Sequence, residues 1–217
     1  MQRTQDQSKE KEAQSSRWGS TGRATNITTT SIARGRAVKK VNALTACLCG
    51  ALPGIALGIF QPTGVGKWLI GFIAGFMWAN AFEYVYHRFL LHLPKTFFAQ
   101  RHLEHHASVG TPTEAEHVNF GSSPLWVAAI FAINSVPMAG VNVLLGLDMA
   151  PGILLAFSVY FVAVEEIHWR IHLGEWLPLG LRRARAYHLA HHVCPNARFN
   201  IFLPLCDMLL GSATQAQ

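Results

Sequence analysis

Lys67-Trp-Leu-Ile-Gly-Phe-Ile-Ala-Gly-Phe-Met-Trp-Ala-Asn-Ala-Phe-Glu-Tyr-Val-Tyr-His-Arg-Phe-Leu-Leu-His92 changes character at its end. From Lys67 to Tyr86 it is almost wholly apolar and matches the ~20 residues a helix needs to cross about 30 Å of hydrocarbon. It then delivers two histidines, His87 and His92. A second stretch repeats the pattern: Ala150 to Ile167 is apolar and leads into His168-Trp-Arg-Ile-His172. Two more apolar runs, Val41 to Phe60 and Pro124 to Leu147, precede these two. Backbone groups in hydrocarbon must be satisfied within their own segment, so four membrane-spanning helices are expected. Gln61-Pro-Thr-Gly-Val-Gly66 joins the first pair, and little more than Asp148 and Met149 joins the second, so both read as tight hairpins. The fold class is therefore all-α and integral to a membrane.

Composition agrees. Half of the 217 residues are apolar and only 14% are charged, against roughly 25% charged in a soluble domain. Four long apolar runs disfavour a soluble helical protein. The net charge is +6, but the basic residues flank apolar runs, which points to anionic lipid headgroups and not to nucleic acid. Arg34, Arg36, Lys39 and Lys40 precede the first span; Arg88, Lys95 and Arg101 follow the second; Arg170, Arg182, Arg183, Arg185 and Arg198 follow the fourth. The hairpin turns carry only Lys67. Positive charge marks the cytoplasmic side, so the N-terminus, the 87–123 loop and the 168–217 segment are expected there. That face would be the endoplasmic reticulum surface in a eukaryote or the inner-membrane surface in a bacterium. Residues 1–40 are polar and are expected to form a disordered tail ahead of a membrane domain over 41–217. Residues 15–40 resemble a transit peptide, although Asp6, Glu10 and Glu12 upstream do not. Cys47, Cys49, Cys194 and Cys206 have neither zinc nor disulfide spacing and read as reduced, structural thiols.

Ten of the eleven histidines fall in four clusters on the cytoplasmic side. They are His87 with His92, then His102, His105 and His106, then His168 with His172, then His188, His191 and His192. Residues three and four apart share a helical face, so each triple aims its imidazoles one way. His87 and His92 are about 140° apart on an ideal helix, which calls for a helix end or a π-bulge, with Pro94 nearby. Imidazole ligates iron and zinc, and ten ligands exceed the needs of one ion, so two ions are expected. His117 stands outside the clusters and reads as an interfacial residue. Bis-histidine haem would use only two of the ten. A zinc protease would need His-Glu-x-x-His, and among the clustered histidines only His168, with Glu165, has the Glu-x-x-His spacing of carboxylate di-iron bundles.

The succession His-x4-His, His-x2-His-His, His-x3-His, His-x2-His-His resembles the fatty acid hydroxylase and sterol desaturase superfamily. The closing Asn200…Asp207…Gly211-Ser212 is similar to that family's terminal pattern, and the likeness runs from about Trp78 to Ser212. The resemblance implies four transmembrane helices under a cytosolic helical cap whose ten clustered histidines bind two iron ions, donors that would equally take zinc. It implies oxidation of a lipid C–H bond, by hydroxylation or desaturation, with O2 and two electrons. The tail is short and contains no histidine, so the donor is expected to be a separate b-type cytochrome, or a ferredoxin, with its reductase. Carotenoid hydroxylases and acyl desaturases carry related boxes, and the pair His168 and His172 favours the hydroxylase side. A non-enzymatic membrane zinc or haem binder remains the alternative.

Ligating histidines usually donate their outer N–H to an acceptor. Glu83, Glu165 and Asp207 are candidates for that role, and Asn119 and Asn200 for contact with a metal-bound water. Trp169, Trp176 and Tyr187 read as interfacial aromatics. The basic, apolar Leu179–Tyr187 stretch reads as lying on the membrane or docking the electron donor. The lipid is expected to enter between the second and fourth spans.

Overall fold

A computed structural model of the chain describes residues 27–60, 63–92, 97–120 and 123–214. All regular structure among them is helical: α1 (Thr29–Phe60), α2 (Val65–Leu91), α3 (Phe97–Ser108), α4 (Glu114–His117), α5 (Pro124–Leu144), α6 (Ala150–His172), α7 (Arg182–Val193) and α8 (Leu205–Leu209). Four of these, α1, α2, α5 and α6, are long and apolar enough to cross a membrane. Residues 1–26, Gln61, Pro62 and Pro94 lie outside the described residues.

The N-terminal boundary differs from the expectation. Residues 29–40 are not a tail but the first turns of α1, begun by the Thr28 hydroxyl accepting from the Ser31 N–H at 3.2 Å. The segment is polar, yet its small residues let it pack: Ser31 and Gly35 are buried, and an added Cβ on Gly35 would meet the Ala115 carbonyl oxygen at 2.0 Å. Lys39 then pairs with Glu166 at 2.5 Å, and Asn119 donates to the Gly35 carbonyl at 2.9 Å. At about 1.5 Å per residue, the 32 residues of α1 exceed a hydrocarbon core in length, and its first turns pack against α4 and α6.

α6 is the central helix. Of its most apolar stretch 67% is buried, against 17–28% for the other three. α2 lies directly on it because glycines remove the side chains between them: a Cβ on Gly152 would sit 2.2 Å from the Trp68 carbonyl oxygen, and one on Gly75 2.6 Å from that of Ile153. Such close backbone approach is how helices associate without a hydrophobic driving force between them. The outward faces are apolar, with Leu48, Leu52, Ile55 and Ile59 on α1 and Ile73 on α2 exposed, a continuous surface of the kind that lipid covers. α5 stops at Leu144, short of the expected Leu147, because Gly146 and Asp148 take positive φ and reverse the chain. Asn142 then caps α6, its Oδ1 accepting from the Met149 and Ala150 N–H groups at 2.7 and 3.1 Å.

Candidate metal centre

α2 ends in a π-turn over Tyr86–Leu91. Bonding i to i+5 stacks residues five apart, and the His87 and His92 rings accordingly lie 5.2 Å apart and only 26° from parallel. The irregularity that the five-residue spacing called for is thus a π-turn. At the other box pair, α6 runs straight through His168 to His172, one turn apart.

All ten clustered histidines meet at one end of the bundle, in two groups of five whose ligand atoms lie within 4.8 Å of one another in each group. The first set is His87, His92, His102, His106 and His191; the second is His105, His168, His172, His188 and His192. The membership crosses the chain order. α3 gives His102 and His106 to the first set and His105 to the second, while α7 gives His188 and His192 to the second and His191 to the first. Each triple was expected to aim one way; each instead divides between two centres. Around a helix, i+4 lies about 40° to one side of i and i+3 about 60° to the other, so the triple fans wide enough to serve both.

Within the first set the Nε2 atoms of His87, His92 and His106 lie 3.0, 3.1 and 2.9 Å from that of His102, and His92 lies 3.2 Å from His191. Within the second set the Nε2 atoms of His168, His172 and His192 lie 2.9, 3.1 and 3.0 Å from that of His188. Outer nitrogens set the tautomers. His87 Nδ1 bonds the Phe199 carbonyl, His191 Nδ1 donates to the Ala197 carbonyl at 2.7 Å, and His172 Nδ1 donates to Glu114 at 2.9 Å. With Nδ1 protonated, Nε2 presents a lone pair inward. Lone pairs about 3 Å apart repel unless a cation sits between them, and two imidazoles at right angles on an ion with ~2.1 Å bonds stand about 3.0 Å apart. His105 makes the same point: it is 3% exposed, and neither ring nitrogen has a hydrogen-bond partner among the described residues. The residues fit a pair of ions. They do not fit a haem, because no slot for a macrocycle separates the facing imidazoles.

Burial keeps these groups neutral, the form that binds metal. Burial lowers His92 to about 4 and His191 to about 3, the latter against the Ala197 carbonyl, which raises it. His102, His105, His188 and His192 fall well below the usual imidazole range, first through burial and then through one another.

The carboxylates expected to back the histidines do other work. Glu83 accepts from Tyr160 O–H at 2.6 Å, Asn200 Nδ2 at 2.9 Å and the Ile201 N–H at 2.9 Å. It therefore ties α2 and α6 to the segment after α7. Glu165 accepts from Asn42 Nδ2 at 3.3 Å, joining α6 to α1. Asp207 accepts from the Phe199 and Asn200 N–H groups at 3.0 and 2.7 Å and from Ser212 at 2.8 Å. Asp207 thus acts on the centre through the Phe199 carbonyl that His87 bonds. Asn200 binds Glu83 and the Asn80 carbonyl, so its amide is committed to scaffold, whereas Asn119 gives its Nδ2 to the Gly35 carbonyl and keeps a buried Oδ1 with no hydrogen-bond partner among the described residues. The partners of Glu83 and Glu165 lie 77 to 123 residues away and those of Asp207 five to eight, but none of them is in a histidine box, which is why proximity to a box misplaced these carboxylates.

A carboxylate that does reach a ligand is Glu114, fully buried with His172 and also accepting from the Gly110 N–H at 2.6 Å. It lies 58 residues before His172 in the chain and at no helical spacing from any box, so only the α3–α4 turn, with Gly110 at positive φ, brings it in. Trp169 is not interfacial either. It is 1% exposed, beneath Lys39 at 4.8 Å and bonded to Glu175 at 3.1 Å. Trp176 is 68% exposed, while the Tyr187 hydroxyl is buried.

A cavity of about 150 Å³ lies against both sets, lined by His102, His105 and His168 together with Tyr86, Phe98 and Phe120. Tyr86 and Phe120 also wall a smaller cavity of about 30 Å³ among the spans, lined by Phe82, Ile130, Phe157 and Phe161. The Trp126 indole Nε1–H donates to the Tyr86 hydroxyl at 2.8 Å and holds that wall in place.

Fold and site define a class: an all-helical protein with four potential membrane spans and ten histidines converging in two sets beside a cavity of mixed aromatic and polar lining. The Fatty acid hydroxylase family matches residues 72–212, which takes in all ten histidines, and the chain belongs to that family. The family is generally one of membrane oxidoreductases that hydroxylate or desaturate lipids. No curated protein and no solved structure matches the chain.

Proposed function

We propose that this protein is a membrane-bound di-iron hydroxylase of lipid C–H bonds. The observation that carries the reading is the double set of buried and half-buried, neutral imidazoles whose lone pairs converge beside a cavity that Tyr86, Phe98 and Phe120 help to line. The ten histidines hold the ions, His87, His92, His102, His106 and His191 on one and His105, His168, His172, His188 and His192 on the other. When bound, the two ions supply the redox chemistry that activates O2. One oxygen atom enters the C–H bond and the other leaves as water, with two electrons and two protons consumed.

The chain's own residues position and protect. Tyr86, Phe98 and Phe120 hold an alkyl segment against His102, His105 and His168 and keep water out. Glu83, Asn200 and Asp207 fix the loop whose Phe199 and Ala197 carbonyls orient His87 and His191. A lipid reaches the cavity from the bilayer past Tyr86 and Phe120, so its chain never crosses water. The four spans form two hairpins, with α3, α4, α7 and α8 as a cap on the cytosolic face. Arg34, Arg36, Lys39, Arg170, Arg182, Arg183 and Arg185 sit at the histidine end, while Lys67 at the far end is matched by Asp148 at 2.7 Å. Both termini then face the cytosol, of the endoplasmic reticulum in a eukaryote or of the inner membrane in a bacterium. Electrons come from a separate b-type cytochrome or ferredoxin, with its reductase.

The test is turnover in lipid vesicles with iron, a reduced electron donor and isotopically labelled O2. The expected product is a hydroxylated lipid carrying the label, formed by the wild type and not by His105→Ala. Unmodified lipid with the wild type, or undiminished product with His105→Ala, contradicts the proposal.

A further inference from the structure

The two sets of five differ in what stands behind them. In the first, the outer nitrogens of His87 and His191 meet neutral carbonyls, of Phe199 and Ala197. In the second, His172 Nδ1 meets the Glu114 carboxylate at 2.9 Å, both side chains being fully buried. The other carboxylate oxygen accepts from the Gly110 N–H at 2.6 Å. Both oxygens thus act as acceptors, the arrangement of an ionised carboxylate and not of a carboxylic acid. An anion behind an imidazole makes the ring a stronger donor and places negative charge one ligand away from the ion. In a site shielded from water that charge is poorly screened. The sets differ in access as well: His92 and His106 of the first are half-buried, while every member of the second is buried.

We propose that Glu114 makes the two ion sites inequivalent, so that the second set holds its ion more tightly and the first set is the labile, exchangeable site. The inference rests on the two-ion reading above. Glu114 is a positioning residue: it acts on the ion through His172 and touches neither substrate nor oxygen.

The experiment uses purified, iron-57-loaded protein in detergent and follows iron release to an excess of a coloured iron chelator. The wild type is expected to lose one ion per chain in a fast phase and the second at least about tenfold more slowly. His92→Ala, in the first set, is expected to abolish the fast phase and leave the slow one. Glu114→Gln keeps the shape but removes the charge, and is expected to speed the slow phase by about 10- to 100-fold while the fast phase stays put. Glu104→Gln, at an exposed carboxylate near Arg101, is expected to change neither. Mössbauer spectra of the wild type are expected to contain two iron environments in equal amounts, of which Glu114→Gln shifts one. Two ions released at one rate by the wild type would overturn the inference and leave the two-ion reading standing. Fewer than two ions per chain would overturn that reading itself. An unchanged slow phase in a folded Glu114→Gln would overturn the role of the carboxylate. If Glu114→Gln fails to fold, the wild type and His92→Ala still decide whether the two sites differ and which is labile.

Discussion

The first and second sets are built to one plan and finished differently. Each takes a pair of histidines from the end of a long helix, two from the short helix that follows, and one lent by the opposite short helix. The plan is repeated, yet the first set is approached through a π-turn and neutral carbonyls, while the second continues a regular helix and is backed by a buried carboxylate. The difference follows from position in the bundle. α6 is the most buried helix and can present His168 and His172 in a dry interior, where an anion is supported by the histidine and the Gly110 peptide. α2 ends nearer the surface, and its ligands lean on the loop that Asp207 folds.

The largest effects should come from the two lent histidines. His105→Ala and His191→Ala should each lower turnover by about 10³-fold or more, since the loss of one ion removes several kcal/mol of charge stabilisation. The crossed pattern makes the outcome specific: His191→Ala, although in the last box, should empty the first set. Turnover within tenfold of wild type in either variant would break the pairing.

Next in size is the scaffold that both sets share. Glu83→Ala strands Tyr160 O–H, one N–H of the Asn200 amide and the Ile201 N–H, each worth about 1–3 kcal/mol when left unpaired. Thermal unfolding in detergent should show a loss of about 3 kcal/mol or more in total, with Glu83→Gln milder.

Acid should distinguish the sets more gently. Burial holds His92 near 4 and His191 near 3, below the ordinary 6.5. Between those values and 6.5 the unfolded chain takes up protons that the folded chain refuses, so stability falls as pH drops below about 6.5. Protons also compete with metal for the same nitrogens. Iron release on lowering the pH from 7 towards 4 should begin at the first set, where His92 is half-buried. Release that begins at the second set would reverse the comparison.

The smallest effect concerns the contact between α1 and α4. Arg34 and Glu116 lie 3.6 Å apart with the arginine 69% exposed, and such pairs are worth about 0–1 kcal/mol. Arg34→Ala should shift the melting temperature little and leave both iron phases unchanged.

Much of this was legible in the sequence for a physical reason. Hydrocarbon demands long apolar helices, so α2, α5 and α6 announce themselves, and imidazoles at one-turn spacing mark their own faces. The misses share another cause. The start of α1 is polar and was read as tail, because its order comes from partners on α4 and α6 and not from its own composition. The crossing of His105 and His191 was open to a stricter use of helical angles, since i+3 and i+4 diverge by about 100°. Glu114 was not readable, because the turn after α3 brings it to His172 without any periodic signal. Glu83 and Asp207 stand out as carboxylates, but the bond of Glu83 to Asn200 depends on a return of the chain that no local pattern encodes, and the bond of Asp207 to Phe199 on an irregular loop without a periodic signal.

Element-specific metal analysis of anaerobically purified, iron-loaded protein tests the central claim most directly. Two ions per chain in the wild type, and one in both His105→Ala and His191→Ala, are the expected counts. One ion in the wild type, or two retained in both variants, would contradict the assignment of the ten histidines to two crossed sets.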